Sequence, residues 1–213
     1  LTDTNGDGLR DTHDVPNIVL ISFTYGELAG TLRVLEGTSG TEVWSVAGVA
    51  ALGTPVIADV TGDGIPDIAT TDDEGCLTLF DADGTTHWVT PSCGTDPYMM
   101  LTAADLYGDG TPELITLEGI YEGATGTKLE TIGRDMRAVY SSPTVGDIDL
   151  DGEQEIILAN RVWNPDGTLA WETLDHMGTY GHWSAIINAD ADPEAEIVMV
   201  GAGRMVVYEH DGT

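Results

Sequence analysis

The sequence predicts an all-β chain of β-propeller blades, each built from four antiparallel strands with an acidic loop inside it. Three observations predict this. A nine-residue acidic pattern recurs, with copies starting at residues 3, 59, 105, 147 and 188. The successive spacings, 56, 46, 42 and 41 residues, suit one blade each. Between the copies, short apolar runs flank glycine-rich turns, as β-hairpins require.

The fullest copy is Asp147-Ile-Asp-Leu-Asp-Gly-Glu-Gln-Glu155, with carboxylates at positions 1, 3, 5, 7 and 9. Calcium takes six to eight hard oxygens, and oxygens on alternate residues can wrap one ion. Position 6 is Gly152, where the tight turn needs a φ that a side chain resists. Position 7 usually gives a backbone carbonyl, which leaves the Glu153 side chain idle. Carboxylates this close repel one another unless a cation lies between them. The competing reading, a solvated acidic turn, is opposed by the recurrence.

By the same positions the candidate ligands are Asp147, Asp149, Asp151, Glu153 and Glu155 in the fourth loop. The second loop offers Asp59, Thr61, Asp63, Ile65 and Asp67, and the third Asp105, Asp109, Thr111 and Glu113. The first offers Asp3, Asn5, Asp7, Leu9 and Asp11, in an EF-hand-like order. Either Asp14 or Asn17 completes it, since the first loop carries a six-residue insertion. The fifth is degenerate: Asn188, Asp190, Asp192, Glu194 and Glu196, with proline at position 6. Pro193 cannot make the glycine turn. Tyr107 stands at position 3 of the third loop and is a poor ligand there. The sites therefore rank fourth, first, second, third, fifth.

Units begin near residues 1, 54, 99, 142 and 183, within one repeat region spanning 1–213. Each reads as strand, acidic loop, strand, strand, turn, strand. The first unit lacks its entering strand and the last its final one. The runs leaving the loops, such as Ile156 to Leu158, are short and apolar, as strands buried on both faces should be. Trp44, Trp88 and Trp171 follow the hairpin turns and are expected to pack between blades.

Composition narrows the partners. The 213 residues carry 37 acidic against 7 basic side chains, for a formal charge of −30. That disfavours nucleic acid and anionic membrane surfaces. About half of the acidity lies in the loops, where an ion would neutralise it. No apolar run is long enough to span a membrane. The chain opens at Leu1, almost inside a loop, and is expected to be a piece of a longer protein. Cys76 and Cys93 flank one hairpin and read as a disulfide, with two small buried thiols as the alternative. A disulfide and weak calcium loops both point outside the cell.

With its loops and hairpins placed, the chain resembles the FG-GAP repeat family, the calcium-loop β-propellers of integrin α-subunits and many secreted bacterial proteins. Asp59-x-Thr-Gly-Asp-Gly-x-Pro-Asp67 and its copies carry the resemblance. It implies a propeller, commonly of seven blades, with several structural calcium ions, and says little about function. Five units then mean part of a larger propeller, or an open array covered by neighbouring copies.

Three functions are open. The first is a non-catalytic extracellular module for adhesion or for binding a glycan or protein ligand. Thr95–Met100 and Met177–Trp183, before two entering strands, are candidates for one face of it. The second is a structural subunit that assembles with copies of itself into a surface filament or stalk. The third, a calcium-dependent polysaccharide-active enzyme, has no nucleophile elbow, zinc-protease helix or phosphate loop behind it. The reading adopted is the first, with no catalytic residues.

Overall fold

The strands that leave the second, third and fourth acidic loops are buried on both faces. In the fourth repeat Ile156 and Leu158 turn to one side and Ile157 to the other, and all three are buried. The two-residue alternation of a strand puts successive side chains on opposite faces. A strand that is apolar on both faces needs a partner layer on each side.

The computed structural model describes residues 8, 13–93, 100–133, 141–173, 183–201 and 203–213. Among the described residues there is no helix; all regular structure is β. The described strands form five antiparallel sheets, three of four strands and two of three. The chain divides into two compact units, Leu1–Tyr98 and Met99–Thr213.

The first unit holds two sheets. Sheet one is the meander β1 (Ile18–Phe23), β2 (Ala29–Leu35) and β3 (Glu42–Ala50). Sheet two is β4 (Val56–Ala58), β5 (Asp67–Thr71), β6 (Leu77–Phe80) and β7 (Thr86–Val89). Leu32, Val34 and Val49 of the first pack on Ile68 and Phe80 of the second. A disulfide joins Cys76, before β6, to Cys93, after β7.

The second unit stacks three sheets. Sheet three is β8 (Thr102–Ala104), β9 (Glu113–Ile115), β10 (Ile120–Tyr121) and β11 (Lys128–Glu130). Sheet four is β12 (Thr144–Gly146), β13 (Glu155–Leu158), β14 (Arg161–Trp163) and β15 (Leu169–Glu172). Sheet five is β16 (Trp183–Ile187), β17 (Glu196–Gly201) and β18 (Arg204–Tyr208). Ile115, Ile120 and Ile132 meet Ile156, Leu158 and Trp163 between sheets three and four. Ile157 and Val162 meet Ile197, Met199 and Tyr208 between sheets four and five. Each such side chain removed from water contributes roughly 1.5–3 kcal/mol.

Two of the three tryptophans after the hairpin turns pack as expected. Trp44 of sheet one donates its indole N–H to Ala82 O in the turn of sheet two, at 2.9 Å. Trp171 of sheet four donates to His210 O in the turn of sheet five, at 2.7 Å. Each indole lies against the turn's glycine, Gly84 or Gly212. Trp88 lies on β7, half-buried.

Candidate metal centres in the acidic loops

The second, third and fourth loops close on themselves by the same bonds. The position-1 carboxylate accepts the amide of position 6: Gly64 to Asp59 at 2.8 Å, Gly110 to Asp105 at 2.9 Å, Gly152 to Asp147 at 3.1 Å. In the second and third it also accepts the position-5 amide, from Asp63 and Asp109. The position-5 carboxylate accepts the amide of position 7: Ile65, Thr111 and Glu153. Short acidic side chains can replace a backbone partner in this way, which is why they shape turns.

Position 6 is left-handed in all three, with φ of +84° at Gly64, +92° at Gly110 and +95° at Gly152. Position 4 is left-handed too, at Gly62, Gly108 and, in the fourth loop, Leu150 with φ of 62°. Leucine there carries a strain that glycine would not.

The position-9 acid begins the strand that leaves the loop and is buried in every described case: Asp67, Glu113, Glu155 and Glu196. One oxygen of each accepts the position-2 amide, from Val60, Leu106, Ile148 and Ala189 respectively. Burial raises the carboxyl pKa of Asp67 and Glu113, against the pull of those amides. Glu155 is pushed up to about 7, first by burial, then by the charges of Asp149, Asp151 and Asp147.

Carboxylates converge in two loops. Oxygens of Asp147, Asp149 and Glu155 lie within 4.8 Å of one another. Asp147 Oδ1 in this group is buried without a hydrogen-bond partner. Asp151 stands outside the trio, its Oδ1 taken by the Glu153 amide. The second convergence joins Asp190 and Glu196 of the fifth loop to Glu209, from beyond β18. Glu74, Cys76 and Cys93 also lie close together, but the two sulfurs are bonded to each other.

The fifth loop is closed differently. Pro193 has no amide to give to position 1, and position 1 is no longer a carboxylate. Asn188 Nδ2 instead faces the carbonyls of Asp192, Glu194 and Pro193 at 3.1, 3.4 and 3.5 Å. Among the described residues, the non-glycine positive φ values fall only at Leu150 and Ala159. Ala191 and Pro193 thus avoid the left-handed turn of the other loops. Asp192 and Glu209 are held above the usual carboxylate range, by burial first and then by neighbouring acids. The Ala195 amide donates to Ile148 O at 2.9 Å, tying the fifth loop to the fourth.

Other expected ligands are less central. Tyr107 turns out of the third loop and donates its hydroxyl to Pro165 O at 3.2 Å. Asn17 donates to Leu35 O at 3.3 Å. Asp3, Asn5, Asp7, Leu9 and Asp11 lie outside the described residues, as do residues 95–99 and 177–182 of the two aromatic segments; Asp14 is described. Glu209 is the acid that loop spacing alone misses. Its signal is the hairpin register: Ile197 pairs with Tyr208, which sets Glu196 and Glu209 across from each other one rung further on.

Antiparallel sheets with an acidic loop before the strands that open at Asp67, Glu113, Glu155 and Glu196 define an all-β repeat type of fold. Residues 59–116 match the FG-GAP-like repeat family. No curated protein matches the chain. Among solved structures, the V. cholerae biofilm matrix protein Bap1 is similar over 100% of this chain, with a TM-score of 0.85 and 26% identity. The rhamnogalacturonan lyase YesW is similar over 87%, with a TM-score of 0.60 and 17% identity. A Bacillus licheniformis rhamnogalacturonan lyase is similar over 86%, with a TM-score of 0.59 and 17% identity. The chain spans 37% of the length of each of these three. At 17% identity the lyases share the fold alone. No helix among the described residues is long and apolar enough to cross a membrane.

Proposed function

We propose that this chain is a calcium-stabilised propeller module of an extracellular matrix or surface protein, non-catalytic, that binds a glycan or a protein. One observation carries the calcium reading: Asp147, Asp149 and Glu155 converge, with a buried oxygen of Asp147 left without a partner. Carboxylates in that position are costly unless a cation sits between them. The donors are all hard oxygens, which suit calcium rather than a softer metal. Asp59, Asp63, Asp67, Asp105, Asp109 and Glu113 extend the same reading to the second and third loops.

The disulfide and the likeness to a biofilm matrix protein support a place outside the cell. Face-to-face packing of antiparallel sheets within each unit supports the propeller reading, and a rigid frame of that kind suits ligand-binding loops. Calcium binding is tested by titration calorimetry on the full chain, with chelator-treated protein as reference. Glycan and protein arrays at millimolar calcium test the ligand. A chain that binds neither calcium nor any array member defeats the proposal.

A second reading, assembly with further copies, draws on the uncovered face of sheet five. The register sets Trp183, Val200 and Met205 on one row and Ala185, Val198 and Val207 on the next. Met205 is 71% exposed and Trp183 56% exposed. An apolar sheet face of this kind marks a place where something else packs. Sedimentation at rising concentration, with and without calcium, separates a monomer from an assembling chain.

A further inference from the structure

Glu209 belongs to no acidic loop, yet its carboxylate stands with the fifth. It follows β18 directly, one rung beyond the Ile197–Tyr208 pair, which places it across from Glu196. One oxygen each of Asp190, Glu196 and Glu209 lies within 4.8 Å of the others. Glu196 is only 3% exposed. Its Oε2 accepts the Ala189 amide, while its Oε1 is buried with no hydrogen-bond partner. A buried carboxylate oxygen without a donor is costly, and a cation is the partner that three acids can share.

The fifth loop needs an outside ligand for a reason visible in its sequence. Position 1 supplies a carboxylate in the second, third and fourth loops. Here it is Asn188, whose amide nitrogen is aimed at loop carbonyls. The acid missing from position 1 is replaced by one from the opposite strand. We propose that Asp190, Glu196 and Glu209 hold a divalent cation, calcium by the hardness of its donors, at a composite site spanning the fifth loop and the end of β18. The proposal rests on the calcium reading of the loops and adds a ligand that the loop pattern does not contain.

The placement gives the ion a second task. Glu209 opens the turn that ends at Thr213: its amide donates to Thr213 O at 3.0 Å, and the Gly212 amide returns to Glu209 O at 2.9 Å. Trp171 of sheet four docks on that same turn. An ion bound through Glu209 would therefore fasten the fifth loop to the seat of Trp171.

The test is calcium titration calorimetry on the full chain as wild type, E209Q and D149N. Glu209 sits in a surface turn, so E209Q is expected to keep the wild-type circular dichroism spectrum. The expected result is that E209Q loses one calcium per chain, or binds it at least ~10-fold more weakly, with the remaining sites unchanged. D149N should instead lose the fourth-loop ion and keep this one. E209D, which keeps the charge on a shorter arm, should fall between wild type and E209Q, and it decides the matter if E209Q does not fold. Wild-type stoichiometry and affinities in E209Q, or in E209D where that variant must decide, overturn the composite site and leave the loop reading standing. A wild-type chain that binds no calcium overturns both.

Discussion

Trp171 presses on Gly212 so closely that a Cβ on the glycine would fall 2.8 Å from the indole Cδ2. Trp44 and Gly84 repeat the relationship at the same distance in the other unit. Both glycines also sit at a φ of +88°, where L side chains are strained. The repeat thus sets a tryptophan on one sheet and a glycine in the turn of the next, and the pair aligns two sheets.

G84A and G212A should each destabilise the protein by about 2–4 kcal/mol, strain and overpacking together. G40A serves as the control. Gly40 has a φ of +70° with nothing within 4 Å of its Cβ position, so only the strain remains. Urea melts of the three variants check this, and equal losses in all three would mean that the indole yields freely.

Reduction tests the staple of sheet two. The Cys76–Cys93 bond joins residues 17 positions apart. A loop of that size is worth about 3 kcal/mol through the unfolded chain. The double variant C76S/C93S should lose about that much. Matching melts with and without dithiothreitol would argue against any such contribution.

The Glu155 carboxyl gives opposite pH responses with and without calcium. Its folded value is about 7 against an ordinary 4.5. The folded state therefore holds this proton where the unfolded state has released it. In EDTA the stability is largest below pH 4.5 and falls as pH rises towards 7, by roughly 3 kcal/mol at most for this group. Calcium needs the ionised carboxylate, so in saturating calcium the melting temperature should fall as pH drops through the same window. Thermal melts at pH 5.5 and 7.5, in EDTA and in calcium, check the sign reversal. A melting temperature that ignores EDTA at both pH values would remove the coupling.

Much of this architecture was legible in the sequence because it depends on local spacing. The loop positions follow from a recurring nine-residue motif, the glycine turns from its sixth position, and the double-sided burial of Ile156–Leu158 from a short unbroken apolar run. Glu209 was not legible, because its partner Glu196 lies thirteen residues away and is met only through strand register. The withdrawal of Asp151 from the fourth-loop trio was also hidden, since an acid can serve either an ion or a backbone amide. Leu150 shows a third limit. Nothing in its identity announces a left-handed φ, and only alignment with Gly62 and Gly108 does so. L150G should therefore stabilise the calcium-bound chain by up to ~1 kcal/mol despite removing a side chain, because that leucine is exposed.

Asn188 and Pro193 form a matched exchange, and a double-mutant cycle should expose it. In the second, third and fourth loops a glycine amide at position 6 meets a carboxylate at position 1, as Gly152 meets Asp147. N188D alone would turn a carboxylate towards the carbonyls of Asp192 and Glu194 and lose the bonds that Nδ2 now makes. That should cost about 1–3 kcal/mol. P193G alone frees the backbone and adds an amide with no carboxylate to meet it. The pair N188D/P193G restores both halves of the common pattern, so its cost should fall below the sum of the single changes by about 1–2 kcal/mol. Chemical denaturation of the four proteins in EDTA measures that difference without any ion at the loop. Simple additivity would show that the two substitutions are independent, and that the fifth loop merely tolerates its proline.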